Sequence, residues 1–334
     1  GYRAATDTER AAATVIANPD AFILVDPAGL NRYPIRGGTD GGDVAQPLTA
    51  AEVKAIQEEA FTIMTRARGA IRQPHDSRMQ ATIALVDTRG AVLALARAPD
   101  APVFGTDVAL QKARTAAFFS HPGAAAELLA NASADVRGFV QKLRDFLANP
   151  NALTGTIAYA ERPIGLLSRP YFPDGEVGTQ NGPLSRPIAN FSPFSTGLQS
   201  ALIIGNLAQH IGYVQSGAAD TPEQCTTLPN VGGSGANRLA NGIQIFPGGV
   251  PIYRGTTLVG AVGVSGDGID QDDMTAFLGL HNGGLRIGGV GHAAVADRIS
   301  SVAIPAANGG FLPYVQCPFA PFLDTSAQNA CQGK

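Results

Sequence analysis

Apolar residues recur at positions 53, 56, 60, 63, 67 and 70, in steps of three and four. That spacing lines one face of an α-helix. Thr49 and Glu52 in front of it form a Thr-x-x-Glu capping box, in which each side chain satisfies an N–H left open by the first turn. The pattern predicts a helix opening at Thr49 and lying on a sheet. The period then shortens. Residues 83–87 and 91–96 are apolar runs of strand length around Thr88-Arg89-Gly90. A glycine accepts positive φ at little cost, so this reads as a hairpin. Helical spacing returns over 106–119, with Thr106 or Asp107 as the cap and His121-Pro122 as the stop. A third helical piece starts near Ala124. Farther on, 251–253 and 258–264 flank Arg254-Gly255-Thr256 as a second hairpin. Asp267 or Asp270 is placed to cap a helix running to about Leu280.

Three stretches lie outside this pattern. Residues 1–47 hold one strand-like run, AFILVDPAGLNRYPIR, and then the linker-like GGTDGGDVAQP. The run shares its order of strand, Val-Asp, Gly and strand with 81–97, a similarity that short hairpins reach by chance. Residues 132–241 open with a polar helix at 134–147 and continue in Pro, Ser, Asn and Gly. They contain Leu-Ser-Arg-Pro twice, at 167–170 and 184–187, and the helix-like LQSALIIGNLAQHI. Long irregular segments inside a domain are usually functional or partner-bound. The loop-rich tail, 282–334, offers one strand at 301–304. Helix, hairpin, helix, insertion, hairpin and helix together predict an α+β sandwich, an antiparallel sheet with flanking helices.

Composition narrows the function. The 334 residues can bury a sizeable core, and 45% are apolar. A net charge of −3 provides no field for a polyanion, so nucleic acid is not expected as a partner. No apolar run reaches the ~18–20 residues of a transmembrane segment. The chain starts at Gly1 and has four lysines, at 54, 112, 142 and 334. Of three cysteines, Cys317 and Cys331 share the tail, where either a disulfide or two free thiols suits the spacing, and Cys225 lies apart. Start, tail and lysine usage point to a periplasmic or extracellular protein whose leader has been removed.

Local motifs exclude more than they assign. Gly263-Val264-Ser265-Gly266-Asp267 fails the Gly-x-Ser-x-Gly elbow at its last position. No phosphate loop is present, and 289–294 (GVGHAA) lacks the acidic residue a dinucleotide site needs. Asp267, Asp270, Asp272 and Asp273 lack calcium-loop spacing and suit a helix N-terminus better. The histidines, at 75, 121, 210, 281 and 292, form no chelating pair. Haem iron needs only one protein ligand, and His121, at the end of the second helix, is the candidate for a metal. Arg97, Arg114, Arg162, Arg169 and Arg186 offer forks for ligand carboxylates. No acid–base pair at a workable spacing argues for an enzyme.

Three segments carry a resemblance: IALVDTRGAVLALARAPDAP at 83–102, DVALQKARTAAFF at 107–119 and FPGGVPIYRGTTLVGAVGVSGDGIDQDD at 246–273. In order and spacing they resemble the GlcG/HbpS-like haem-binding family, which also occurs as an accessory domain in cobalamin adenosyltransferases. The matching residues include Asp87, Gly90, Arg97, Lys112, Ala113, Thr115, Gly248, Gly249, Pro251, Gly260, Gly263 and Ser265. Two places depart from the pattern: Arg97-Ala98-Pro99-Asp100-Ala101 lacks a glycine and displaces the aspartate, and His121-Pro122-Gly123 stands where Pro-Thr is usual. The resemblance covers 48–131 and 242–281. It implies a five-stranded antiparallel sheet with flanking helices, interrupted by 132–241. It also implies haem or iron as ligand and an oligomeric protein. The helix face from Lys112 to Thr115 would then form the ligand wall, with Thr115 or His121 nearest a metal and Lys112 or Arg97 pairing with a propionate. The expected function is an extracytoplasmic haem, tetrapyrrole or iron binder. The alternative is a structural or accessory subunit of an extracytoplasmic, redox-related assembly, joined through 132–241 to copies of itself or to other proteins.

Overall fold

The computed structural model describes residues 1–173, 175–193, 196–222, 224–232, 235–307 and 309–334. In chain order the elements are β1 (Tyr2–Ala4), α1 (Asp7–Ala11), β2 (Phe22–Leu24), α2 (Ala50–Arg66), β3 (Thr82–Val86), β4 (Val92–Arg97), α3 (Gly105–Phe119), α4 (Ala124–Leu129), α5 (Ala134–Leu147), α6 (Glu161–Leu167), α7 (Gly197–Ser216), β5 (Gly249–Arg254), β6 (Thr257–Ser265) and α8 (Ile269–Ile287). The strands form one sheet in the order β1-β2-β4-β3-β6-β5, and every neighbouring pair is antiparallel. β3 lies beside β6 with Leu85 opposite Val262, so the segments on either side of the insertion share a sheet.

Strand alternation assigns the two faces. Ala84 and Val86 of β3 and Ala261 of β6 pack with Ala109, Ala113 and Ala116 of α3. Ile83, Leu85, Val262 and Val264 face the other way and join the larger core with Val53, Ile56, Phe61 and Phe277 of α2 and α8. α2 opens with the expected reciprocal bonds between Thr49 and Glu52. Of its predicted stripe, Val53, Ile56, Ala60, Ile63 and Ala67 are buried, whereas Ala70 lies beyond the helix and is exposed. α5 begins and ends where the sequence predicts and buries Val136, Phe139, Val140, Leu143 and Leu147.

Several expectations are corrected. The sheet has six strands, not five: the N-terminal arm adds β1 and β2, the latter through a single register contact between Phe22 and Arg97. β2 falls in the strand-like run at 21–36, whereas the three residues of β1 are too short to announce a strand by alternation. α3 starts at Gly105 without a side-chain cap, because Asp107 accepts from Asn241 Nδ2 instead (2.9 Å). The N-cap of α8 is Gly268, and the helix reaches Ile287. Asp267 does receive the Gly268 N–H, but also that of Ala70, while Asp270 pairs with Arg162. In the tail, 301–304 is not a strand. Short 3-10 turns at Ile299–Ser301 and Pro305–Ala307 bracket Ile304, which makes one bridge to Gly310. Pro305 has no N–H to continue a ladder. Cys317 and Cys331 are disulfide-bonded, and Cys225 is free and exposed. The outer side of β5 is met by a bridge in which Tyr253 and Gly291 exchange both backbone hydrogen bonds at 2.9 Å.

Two glycines test this architecture. A Cβ on Gly263 would run into the backbone of α3 at Ala109 and Ala113, whereas one on Gly255, at φ +61° in the β5–β6 turn, would meet nothing. Gly263→Ala should cost about 2–3 kcal/mol or more through overpacking. Gly255→Ala should cost roughly 1–2 kcal/mol, for backbone conformation alone. Urea denaturation of the two variants checks the order; equal losses would contradict the close seating of α3 on β6.

Candidate functional site

A cavity of about 690 Å3 opens where α3, the end of β6, the first turn of α8 and the start of α7 meet. Its apolar wall includes Phe104, just before α3, and Val108 within it, Ile243, Ile245 and Phe246 from the segment leading into β5, and Ile269 from α8. Its polar groups include Gln111, Gln244, Lys112, Asp267 and Asp272.

Lys112 is buried, and its Nζ donates to Asp272 Oδ2 (2.8 Å) and to the Val264 carbonyl (2.9 Å). Burial raises the Asp272 carboxyl to about 6, against the opposing pull of Lys112. Asp267 is also committed: its Oδ1 accepts from Ala70 and Gly268 N–H, and its Oδ2 lies 3.3 Å from Arg72 Nε. Behind this wall lies a group that sequence reading missed. Glu161, the first residue of α6, is fully buried, and neither carboxyl oxygen makes a well-formed hydrogen bond among the described residues, the Gly249 N–H being the donor near it. Burial holds its proton on well above the ordinary carboxylate range; Lys112 opposes this, and Asp273 and Asp272 add to it. Arg162, next along, binds Asp273 (2.5 Å) and Asp270 (2.6 Å). Burial raises Asp273 as well. Nothing local in the sequence signals this cluster, because its partners lie more than 100 residues apart.

The four residues singled out from sequence do not converge. Lys112 lies in the cavity wall. Thr115 stands behind it, where its Oγ1 accepts from Gln244 N (3.0 Å) and fixes the 243–246 segment. His121 is outside the lining; its Nδ1 accepts from Gly123 N (2.9 Å), and burial, with Arg238 nearby, lowers the ring to about 4. Arg97 is also outside the lining, over the ring of Tyr2 at 4.4 Å, and burial lowers its pKa. Among the described residues no group of three His, Cys, Asp or Glu is placed to hold a metal ion.

A family model described as "Haem degrading protein HbpS-like" matches residues 56–160 and 206–281, more than half of the chain. The chain belongs to the HbpS-like family. Among solved structures, this HbpS-like chain is similar to a PduOC:heme complex, at 14% identity and a TM-score of 0.31, over 71% of this chain and 95% of that one. It is also similar to the Klebsiella pneumoniae protein ORFY, at 16% identity and a TM-score of 0.31, over 78% and 97%. No curated protein matches it. Among the described residues no helix is long and apolar enough to cross a membrane.

Membership in this family makes haem the ligand to weigh against the cavity. Its size is ordinary for an organic cofactor, and its apolar walls suit a porphyrin macrocycle. The iron is served less well. The described lining holds no His, Cys, Met or Tyr for an axial position, and its one cation, Lys112, is already bound to Asp272. The residues present therefore fit the ring and not the metal.

The acids behind the wall make a prediction about pH. Both Asp272 and Glu161 have folded values raised by burial, so their contribution to stability is complete below the unfolded values and is lost as pH rises. Asp272 spends its share by about pH 6. Glu161, whose proton is held well above the ordinary carboxylate range, and Asp273, raised by the same burial, lose stability in the same direction as pH rises. Glu161→Gln should flatten the fall in urea stability as pH rises beyond about 6. Parallel profiles for variant and wild type would show that Glu161 is not the titrating group.

Proposed function

We propose that this HbpS-like chain binds haem or a related tetrapyrrole in the cavity between α3, β6 and α8, and holds it by the macrocycle. The observation that carries this reading is an apolar cavity of suitable size at the very helix face, around Lys112, on which the family pattern is written. The cavity's two carboxylates are tied up, Asp272 by Lys112 and Asp267 by Arg72 and two backbone N–H groups. That favours binding over turnover by these side chains. An extracytoplasmic setting is part of the proposal and draws support from the Cys317–Cys331 disulfide, since such bonds persist mainly in oxidising compartments. The reading as an accessory subunit draws on one observation, the apolar residues that α7 exposes in the insertion.

If the ring and not the iron is held, haem and iron-free protoporphyrin should bind with affinities within about threefold of each other, a difference under ~1 kcal/mol. Phe104, largely exposed at the cavity mouth, can be cut back without opening the core. Phe104→Ala should weaken both ligands by roughly tenfold, the worth of about 1.4 kcal/mol of lost contact. His121→Ala should leave both unaltered. Absorbance and fluorescence titrations read these quantities. Saturation by neither ligand would reject the proposal. Haem binding that exceeds protoporphyrin binding by about a hundredfold would give the iron the leading role and reject the mode of holding.

A further inference from the structure

Helix α7 is anchored only at its start: Gly197, Leu198, Ala201 and Leu202 are buried, and the helix then runs on to Ser216 without another buried residue. One side of this free portion is occupied by the returning chain. Asn206 Nδ2 donates to the Gln224 and Thr226 carbonyls, Gln209 Nε2 to those of Ala219 and Asp220, and His210 Nδ1 lies 2.9 Å from Asp220 Oδ1. These bonds fix the rotation of the helix and leave its other side open. That side carries Ile204, Leu207, Ile211 and Val214, exposed by 61, 47, 45 and 68%. Their steps of three, four and three are the a/d spacing of a coiled-coil seam. A solvent-facing helix normally places polar residues there.

We propose that this stripe pairs with the same stripe on a second copy of the chain, α7 against α7 about a two-fold axis. Charge favours a like partner: from Gly197 to Ser216 the helix has no Asp, Glu, Lys or Arg. Two copies therefore meet without repulsion, and a charged groove on another protein finds nothing to complement. The a/d seam is self-complementary, as a two-fold interface requires. Area sets the strength. The free portion is about 20 Å long, and its four apolar side chains offer on the order of 350 Å2, less than half of the ~800 Å2 per partner in a standard interface. The dimer is accordingly weak and concentration-dependent, with dissociation in the micromolar range or above. This inference stands apart from the haem reading, since none of the four residues lines the cavity.

Sedimentation velocity of the full chain from about 1 to 300 μM, spanning that range of dissociation constants, should show the mass doubling with concentration. The double variant Leu207→Glu/Ile211→Glu should lose the doubling, and so should Leu207→Lys/Ile211→Lys. An equimolar mixture of the two should regain it, which a misfolded variant cannot do. Glu and Lys meet in that mixture whichever way the helices run. Three results would overturn the proposal: a wild-type mass that does not change with concentration, acidic variants that associate like wild type, or a monomer whose α7 stripe is needed to co-sediment with phosphatidylcholine vesicles. The last would give the stripe to a lipid surface.

Discussion

The ion pair between Lys112 and Asp272 joins helices on opposite faces of the sheet. α3 covers one face and α8, with α2, the other. Lys112 reaches past the end of β6, whose Val264 carbonyl it also takes, to the first turn of α8. Both ions are nearly inaccessible to solvent. A charge moved out of water costs several kcal/mol, and breaking such a pair from one side typically costs about 3–5 kcal/mol. The pair therefore constrains where α3, β6 and α8 end relative to one another, and the cavity lies at that junction.

The excursions are tied to the same spot. Arg162 and Glu161, at the start of α6 in the insertion, settle against Asp273 and Lys112. The tail arrives from the other direction, and Gln316 N donates to Asp273 Oδ2 (3.0 Å). Insertion, tail and sandwich thus share one buried set of carboxylates on α8. That sharing explains why so loop-rich a sequence still buries residues such as Tyr159, Ile164 and Leu167 in the main core. Here the polar interior specifies position, while apolar area supplies the favourable free energy.

The sequence made the sandwich legible wherever information is local. The Thr49–Glu52 box, the Thr88–Gly90 and Gly255 turns and the helix at 134–147 are each written within a short stretch, and each folds as the pattern says. The six-strand count was not legible: Tyr2–Ala4 is too short to show alternation, and nothing in the strand-like run at 21–36 says that Phe22–Leu24 joins the same sheet. The aspartates after β6 look like caps in sequence. In the fold, Asp270, Asp272 and Asp273 are taken by Arg162 and Lys112 from far along the chain. Glu161 illustrates the same limit: a surface-type residue opening a short helix becomes a buried acid through tertiary packing alone. Of the residues singled out from sequence, Lys112 lines the cavity. The opposite wall, from Ile243 to Phe246, and the link to α7 were not legible.

The margins of the sheet carry a consequence of their own. A strand with free N–H and C=O groups along its outer side is a template on which any extended peptide can add itself. On the β5 side, Gly291 already takes both backbone groups of Tyr253, and on the other side β1 is three residues long, a stub too brief to nucleate further pairing. Growth by strand addition, the route to runaway fibrous aggregates, is thereby blunted at both ends. The polypeptide thus carries a long excursion between two halves of its sheet without leaving a long open strand at either margin.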